Sequence, residues 1–107
     1  MNEIKFMHNW NNKLDCQVFT TIRKYTQQKL NYYLDRIGEP FDVILGRKEL
    51  KCQAILKRVD VKPLQKFPYI LLCLDTGKTD PEIIETIFKN FGIKLWDRAI
   101  LLIFERL

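Results

Sequence analysis

Histidine is almost missing from this chain, with His8 its sole imidazole. A serine or cysteine hydrolase of the usual triad kind would have to use His8 as its base, and nothing sets it beside a nucleophile. Cys16, Cys52 and Cys73 are far apart and form no Cys-x-x-Cys pair. They indicate neither a zinc site nor a disulfide framework. Glycine is scarce, and Gly46-Arg47-Lys48 lacks the second glycine and the following helix of a phosphate loop. No run approaches the roughly 18 apolar residues that cross a bilayer. Polar residues 9–15 stand where a signal peptide would carry its apolar core. Repeats and low-complexity tracts are absent as well. The expectation is a soluble, unsecreted, cytoplasmic protein with no metal, no cofactor and no membrane association, its thiols reduced and partly buried as small hydrophobes.

What is present fits one domain over residues 1–107. A chain of 107 residues with 47% hydrophobic content builds one core. Lysine and arginine exceed aspartate and glutamate by 18 − 13 = +5, which favours polyanionic partners through long-range attraction. The cations are spread along the chain, so charge alone raises the case for nucleic acid only modestly.

Periodicity orders the elements. Residues 4–8 read as a strand, 10–15 as a turn or short helix, and 18–23 as a second strand. Leu30, Tyr33, Leu34 and Ile37 fall on one face of a helix over residues 25–37, with Thr26 to cap it and Gly38 to end it. Residues 41–45 and 52–56 form the arms of a hairpin with a basic tip. Its second arm changes phase between Leu56 and Val59, the mark of a bulge, and stops at Pro63. Pro68 opens a short helix or buried strand that breaks at Asp75-Thr76-Gly77-Lys78. Pro81 opens a helix with Ile83, Ile84, Ile87, Phe88 and Phe91 as its apolar stripe, Thr79 or Asp80 as cap and Gly92 as stop. Trp96 belongs with the core approach. The apolar run over residues 99–104 reads as a strand covered on both faces.

The segment Val18-Phe19-Thr20-Thr21-Ile22-Arg23-Lys24 carries the most chemistry. Alternation along a strand sets Thr21 and Arg23 side by side, a hydroxyl beside a guanidinium, which suits a phosphate, a base edge or a carboxylate. The same residues also read as a solvated edge strand. Lys24, one position on, should face the other way. Arg47, Lys48 and Lys51 at the hairpin tip suit a phosphate backbone or a plain solvated loop. Trp10, among asparagines, offers a stacking surface or a cap on the barrel. Asp75 reads either as a turn residue or as part of a site.

Taken in order, Thr21-Ile22-Arg23, Gly38 with Phe41-Asp42-Val43, Asp75-Thr76-Gly77, Phe91-Gly92 and Ile100-Leu101-Leu102-Ile103-Phe104 resemble the ASCH domains of the PUA-like superfamily. The resemblance spans nearly the whole chain and implies an α+β fold, a small mixed PUA-like β-barrel with surrounding helices. It also implies a cleft suited to RNA or a nucleotide-like ligand. Many members begin their second strand Gly-x-Lys-Thr-x-Thr-Ile-Arg, and the lysine, second threonine and arginine line that cleft. Thr21 and Arg23 match the last two; Val18 stands at the lysine and Cys16 at the glycine. In the branch similar to acetylcytidine amidohydrolases, a lysine, a threonine and an acidic residue form the catalytic set. Thr21 and Asp75 are the candidate catalytic residues on that basis, and Val18 cannot move a proton.

The leading expectation is therefore a domain that binds RNA or a nucleotide-containing ligand through Thr21, Arg23 and Asp75, with Lys78, Arg47, Lys48 and Trp10 as further contacts. The alternatives are a divergent amidohydrolase-like or nuclease-like enzyme acting on RNA or a modified nucleoside, and a protein-interaction module anchored by Tyr25, Tyr32 or Trp10.

Overall fold

The computed structural model describes residues 2–107, except the side chains of Trp10 and Asn11. The stacking role expected of the Trp10 indole therefore lies outside the described residues. In chain order the elements are β1 (Asn2–Phe6), a 3₁₀ segment (Trp10–Asp15), β2 (Val18–Lys24), α1 (Gln27–Leu34), β3 (Pro40–Leu45) and β4 (Glu49–Pro63). A 3₁₀ turn (Leu64–Lys66), α2 (Tyr69–Thr76), α3 (Pro81–Asn90) and β5 (Arg98–Arg106) complete them. Among the described residues these make an α+β fold on one mixed five-stranded sheet, ordered β1-β3-β4-β5-β2. β1 and β3 run parallel and the other neighbours antiparallel.

Strand β5 explains the sheet's two cores. Ile100, Leu102 and Phe104 point into a concave core with Phe41, Val43 and Leu56. Ala99 and Leu101 point the other way, against Leu72 of α2 and Ile84 and Phe88 of α3. Alternating burial on both faces is what a continuous apolar run encodes. The phase change in β4 is a register shift between Leu56 and Arg58, as the sequence pattern implies.

The sheet does not close into the expected barrel. It curls until Phe6 of β1 and Phe19 of β2 meet edge to face, ring centroids 6.1 Å apart. No backbone ladder joins these two edge strands among the described residues. Side chains occupy the seam instead, and the Lys5 carbonyl at its border accepts from Arg23 Nη2 at 2.9 Å. A closed barrel would need that space for backbone pairing.

Other departures have local causes. Thr26 caps α1 as read, accepting from the Lys29 N–H at 3.0 Å. The helix stops at Leu34, where Arg36 Nη1 donates to the Tyr32 carbonyl and so satisfies an end group of the helix. Leu34 and Ile37 are exposed, leaving Leu30 and Tyr33 to pack on the core. Asp75 and Thr76 do not break α2; they are its buried last turn, and Gly77 ends it at φ 74°. Trp96 is 65% exposed rather than part of the core approach, with Lys94 Nζ 5.6 Å from its ring.

Candidate functional site: a cationic cleft at the open seam

The seam between β1 and β2 opens into a cleft of about 240 Å³. Its apolar wall comes from Phe6, Ile22, Phe88 and Ile93, and its polar groups converge from β1, the 3₁₀ segment, β2, α1 and α2. Thr21 and Arg23 project from the same face of β2. Thr21 is 4% exposed, and its hydroxyl accepts from Arg23 Nε at 3.0 Å. With the bond to the Lys5 carbonyl, this fixes the guanidinium across the seam, 4.7 Å from the Phe6 centroid.

Lys13 arrives from the 3₁₀ segment. Leu14 anchors that segment in the concave core, with its N–H on Asn9 Oδ1 and its carbonyl accepting from Arg106 Nη1. The neighbouring Lys13 is thereby carried inward, Nζ 5.3 Å from the Phe6 centroid. It donates to Asp75 Oδ1 at 2.9 Å and to the Asp75 carbonyl at 3.4 Å. Thr20 Oγ1, from the opposite face of β2, donates to the same carboxylate oxygen at 3.4 Å. The end of α2 thus delivers one carboxylate to the edge of β2, where it meets a hydroxyl and an ammonium.

Burial governs the ionisation of this cluster. It lowers the Lys13 pKa from the ordinary 10.5; Asp75 opposes the shift and Arg23 adds to it. It raises the Asp75 carboxyl above 3.8 against the pull of Lys13, Thr20 and Arg23. Both partners are pushed toward their neutral forms, so desolvation outweighs their mutual attraction. Arg23 is lowered by burial too, with Tyr33 and Asp75 opposing, and burial raises the Tyr33 phenol.

Three residues singled out from the sequence, Thr21, Arg23 and Asp75, come together here. Lys78, Arg47 and Lys48 do not: each is exposed and outside the cleft wall. Val18 is 54% exposed and also outside it. Lys24, expected to face away, lines the cleft with Lys5 and Lys29 at the rim. Sequence reasoning missed Lys13 and Phe6. The available signal for Lys13 was weak: a lysine beside a leucine, just before the Thr-x-Ile-Arg strand.

Among the described residues no group of His, Cys, Asp and Glu side chains could hold a metal ion, and no helix is long and apolar enough to cross a membrane. A scan against family models, a search of curated proteins and a search of solved structures find no match to this chain.

Removing one member of the buried pair strands the other. Lys13→Met is expected to destabilise the fold by about 3–5 kcal/mol in urea unfolding, whereas Lys13→Met with Asp75→Leu recovers most of that loss. Because folding raises the Asp75 pKa, its contribution to stability is complete below 3.8 and is lost as pH rises through the folded value. The wild type should therefore gain on the double variant as pH falls through the folded Asp75 value toward 3.8, whereas the lowered Lys13 pKa acts the other way, its cost accruing as pH falls from 10.5 to the folded Lys13 value. A double variant as unstable as Lys13→Met, or a wild type that loses ground in acid, would contradict this account of the pair.

Proposed function

We propose that this chain is a PUA-like domain of the ASCH type whose cleft binds RNA or another nucleotide-containing ligand. The observation that carries the reading is unbalanced buried charge. Lys13, buried, and Arg23, half-buried, lie over one phenyl ring; among the described residues Asp75, paired with Lys13, is the one carboxylate of the cleft wall, and the acceptors of Arg23 are neutral. Buried charges are normally paired, so the cleft holds a place for an anion. Lys5, Lys24 and Lys29 extend the imbalance: five cations line the cleft against Asp75.

Size narrows the ligand. A volume of about 240 Å³ is below the usual range of about 300–1,000 Å³ for sites that enclose a drug-sized molecule. One unstacked ring system fits inside, leaving sugar and phosphate at the lysine rim. Phe91, 51% exposed, belongs to the wall of the cleft at that rim. The Thr21 hydroxyl, accepting from Arg23, keeps its own proton to donate.

Arg23 also clasps β1 to β2, so its truncation mixes binding with folding. The cleaner variant is Lys24→Ala with Lys29→Ala, both exposed. In fluorescence-anisotropy titrations of a labelled single-stranded RNA, affinity should fall with salt by a log–log slope of about −0.7 per phosphate neutralised. The double variant should bind more weakly and less steeply. No binding at low salt, or an unchanged slope in the variant, would overturn the reading.

A second reading is favoured by Lys13. An amine missing at Val18 is supplied from the 3₁₀ segment, beside Asp75 and in the same cleft as Thr21. A neutral Lys13 could take the Thr21 proton as that oxygen attacks an acyl carbonyl; the C–N bond then breaks and Lys13 returns the proton to the leaving amine. Water hydrolyses the resulting ester. Incubation with acetylated cytidine should then release cytidine from wild type and none from Thr21→Val. Absence of release from wild type would leave binding as the function.

A further inference from the structure

The cleft does not end at its own rim. Lys24 and Ile93 also line a second hollow, of about 430 Å³, whose other walls are Tyr25, Gly92, Asp97 and Arg98. We infer that cleft and hollow form one track for a single-stranded polynucleotide, with one base in the cleft and the following nucleotide in the hollow. This rests on the nucleotide-binding reading above and names its substrate class: a strand of at least two nucleotides, not a lone nucleoside.

The sheet register builds the second station. Lys24 pairs with Ala99 at the end of the β2–β5 ladder. The next residues outward, Tyr25 and Arg98, therefore face each other, the Arg98 guanidinium 5.7 Å from the Tyr25 ring centroid. The Tyr25 hydroxyl donates to Gln27 Oε1 at 2.8 Å, which fixes the ring. A guanidinium plane held over an aromatic ring presents both a stacking surface and phosphate donors. Asp97, the acidic wall, accepts the Lys94 N–H on Oδ2 at 2.9 Å.

Beside the crossing between the stations, Gly92 lies in the wall of the hollow. Gly92 has φ 78°, and a Cβ there would come within 3.1 Å of Lys24 Nζ. The lysine thus passes close over bare backbone at the point common to both hollows, where a bridging phosphate would lie. The next turn along the chain, just before the hollow's Asp97 and Arg98, carries Trp96 with Lys94 over its ring, an exposed aromatic paired with a cation. Lys24, Tyr25 and Arg98 in the wall of the hollow thus set cations beside an aromatic ring, the combination that single-strand binders use.

Calorimetric titration with uridine monophosphate and with a uridine tetranucleotide, at low salt, separates the possibilities. The tetranucleotide should bind wild type at least about tenfold more tightly, the gain that one added stacked base supplies. Arg98→Ala and Trp96→Ala, both exposed positions, should each bring the ratio of the two affinities toward one. Equal affinities in wild type, or a ratio that survives both substitutions, would overturn the track while leaving a one-nucleotide cleft intact. Failure of both ligands to bind would instead remove the nucleotide reading itself.

Discussion

Two cations, Lys13 buried and Arg23 half-buried, share one phenyl ring, and much of the architecture follows from keeping them there. Lys13 and Arg23 lie 5.3 and 4.7 Å from the Phe6 centroid. Holding them out of water requires acceptors from several elements: the carboxylate from α2, the hydroxyl from β2 and a backbone carbonyl from β1. Each acceptor ties an element to the seam. The end of α2 is drawn to the edge of β2, the 3₁₀ segment is pinned beneath both, and β1 is held to β2 without a ladder.

An open seam turns this arrangement into a site. Had the two edge strands paired, their backbone would fill the space that the guanidinium and the ammonium now occupy. The sheet would have gained hydrogen bonds and lost its cleft. The fold also concentrates charge that the sequence disperses. Lys5, Lys13, Arg23, Lys24 and Lys29 come from separate stretches of the first two strands and the segments around them, yet they border one cavity. A buried ion pair is a weak source of stability, because desolvation offsets most of the attraction. Its value here is positional.

Much of the fold was legible because strand and helix periods are local. The continuous run in β5, the phase change in β4, the Thr26 cap and an α3 cap at Thr79 or Asp80, which the structure places on Asp80, each followed from a few neighbouring residues. So did the pairing of Thr21 with Arg23, which alternation along one strand dictates. Asp75 was harder to place. Asp-Thr-Gly reads as a turn, and only a partner as remote as Lys13 makes the aspartate a buried helix residue with the turn deferred to Gly77. Lys13 was barely legible, since an asparagine-rich 3₁₀ segment has no apolar period to show which side faces inward. Closure of the sheet was equally out of reach: alternating burial describes a curled strand and a barrel strand in the same way.

The measurement that bears most directly on the cleft is a backbone amide NMR titration with uridine monophosphate at low salt. Ligand in the seam should shift the resonances of Lys5, Lys13, Thr21 and Arg23 together, with Asp75 following as its ion pair adjusts. Shifts confined to the turn bearing Arg47 and Lys48, or spectra unchanged at saturating ligand, would contradict a nucleotide site built on the buried cations.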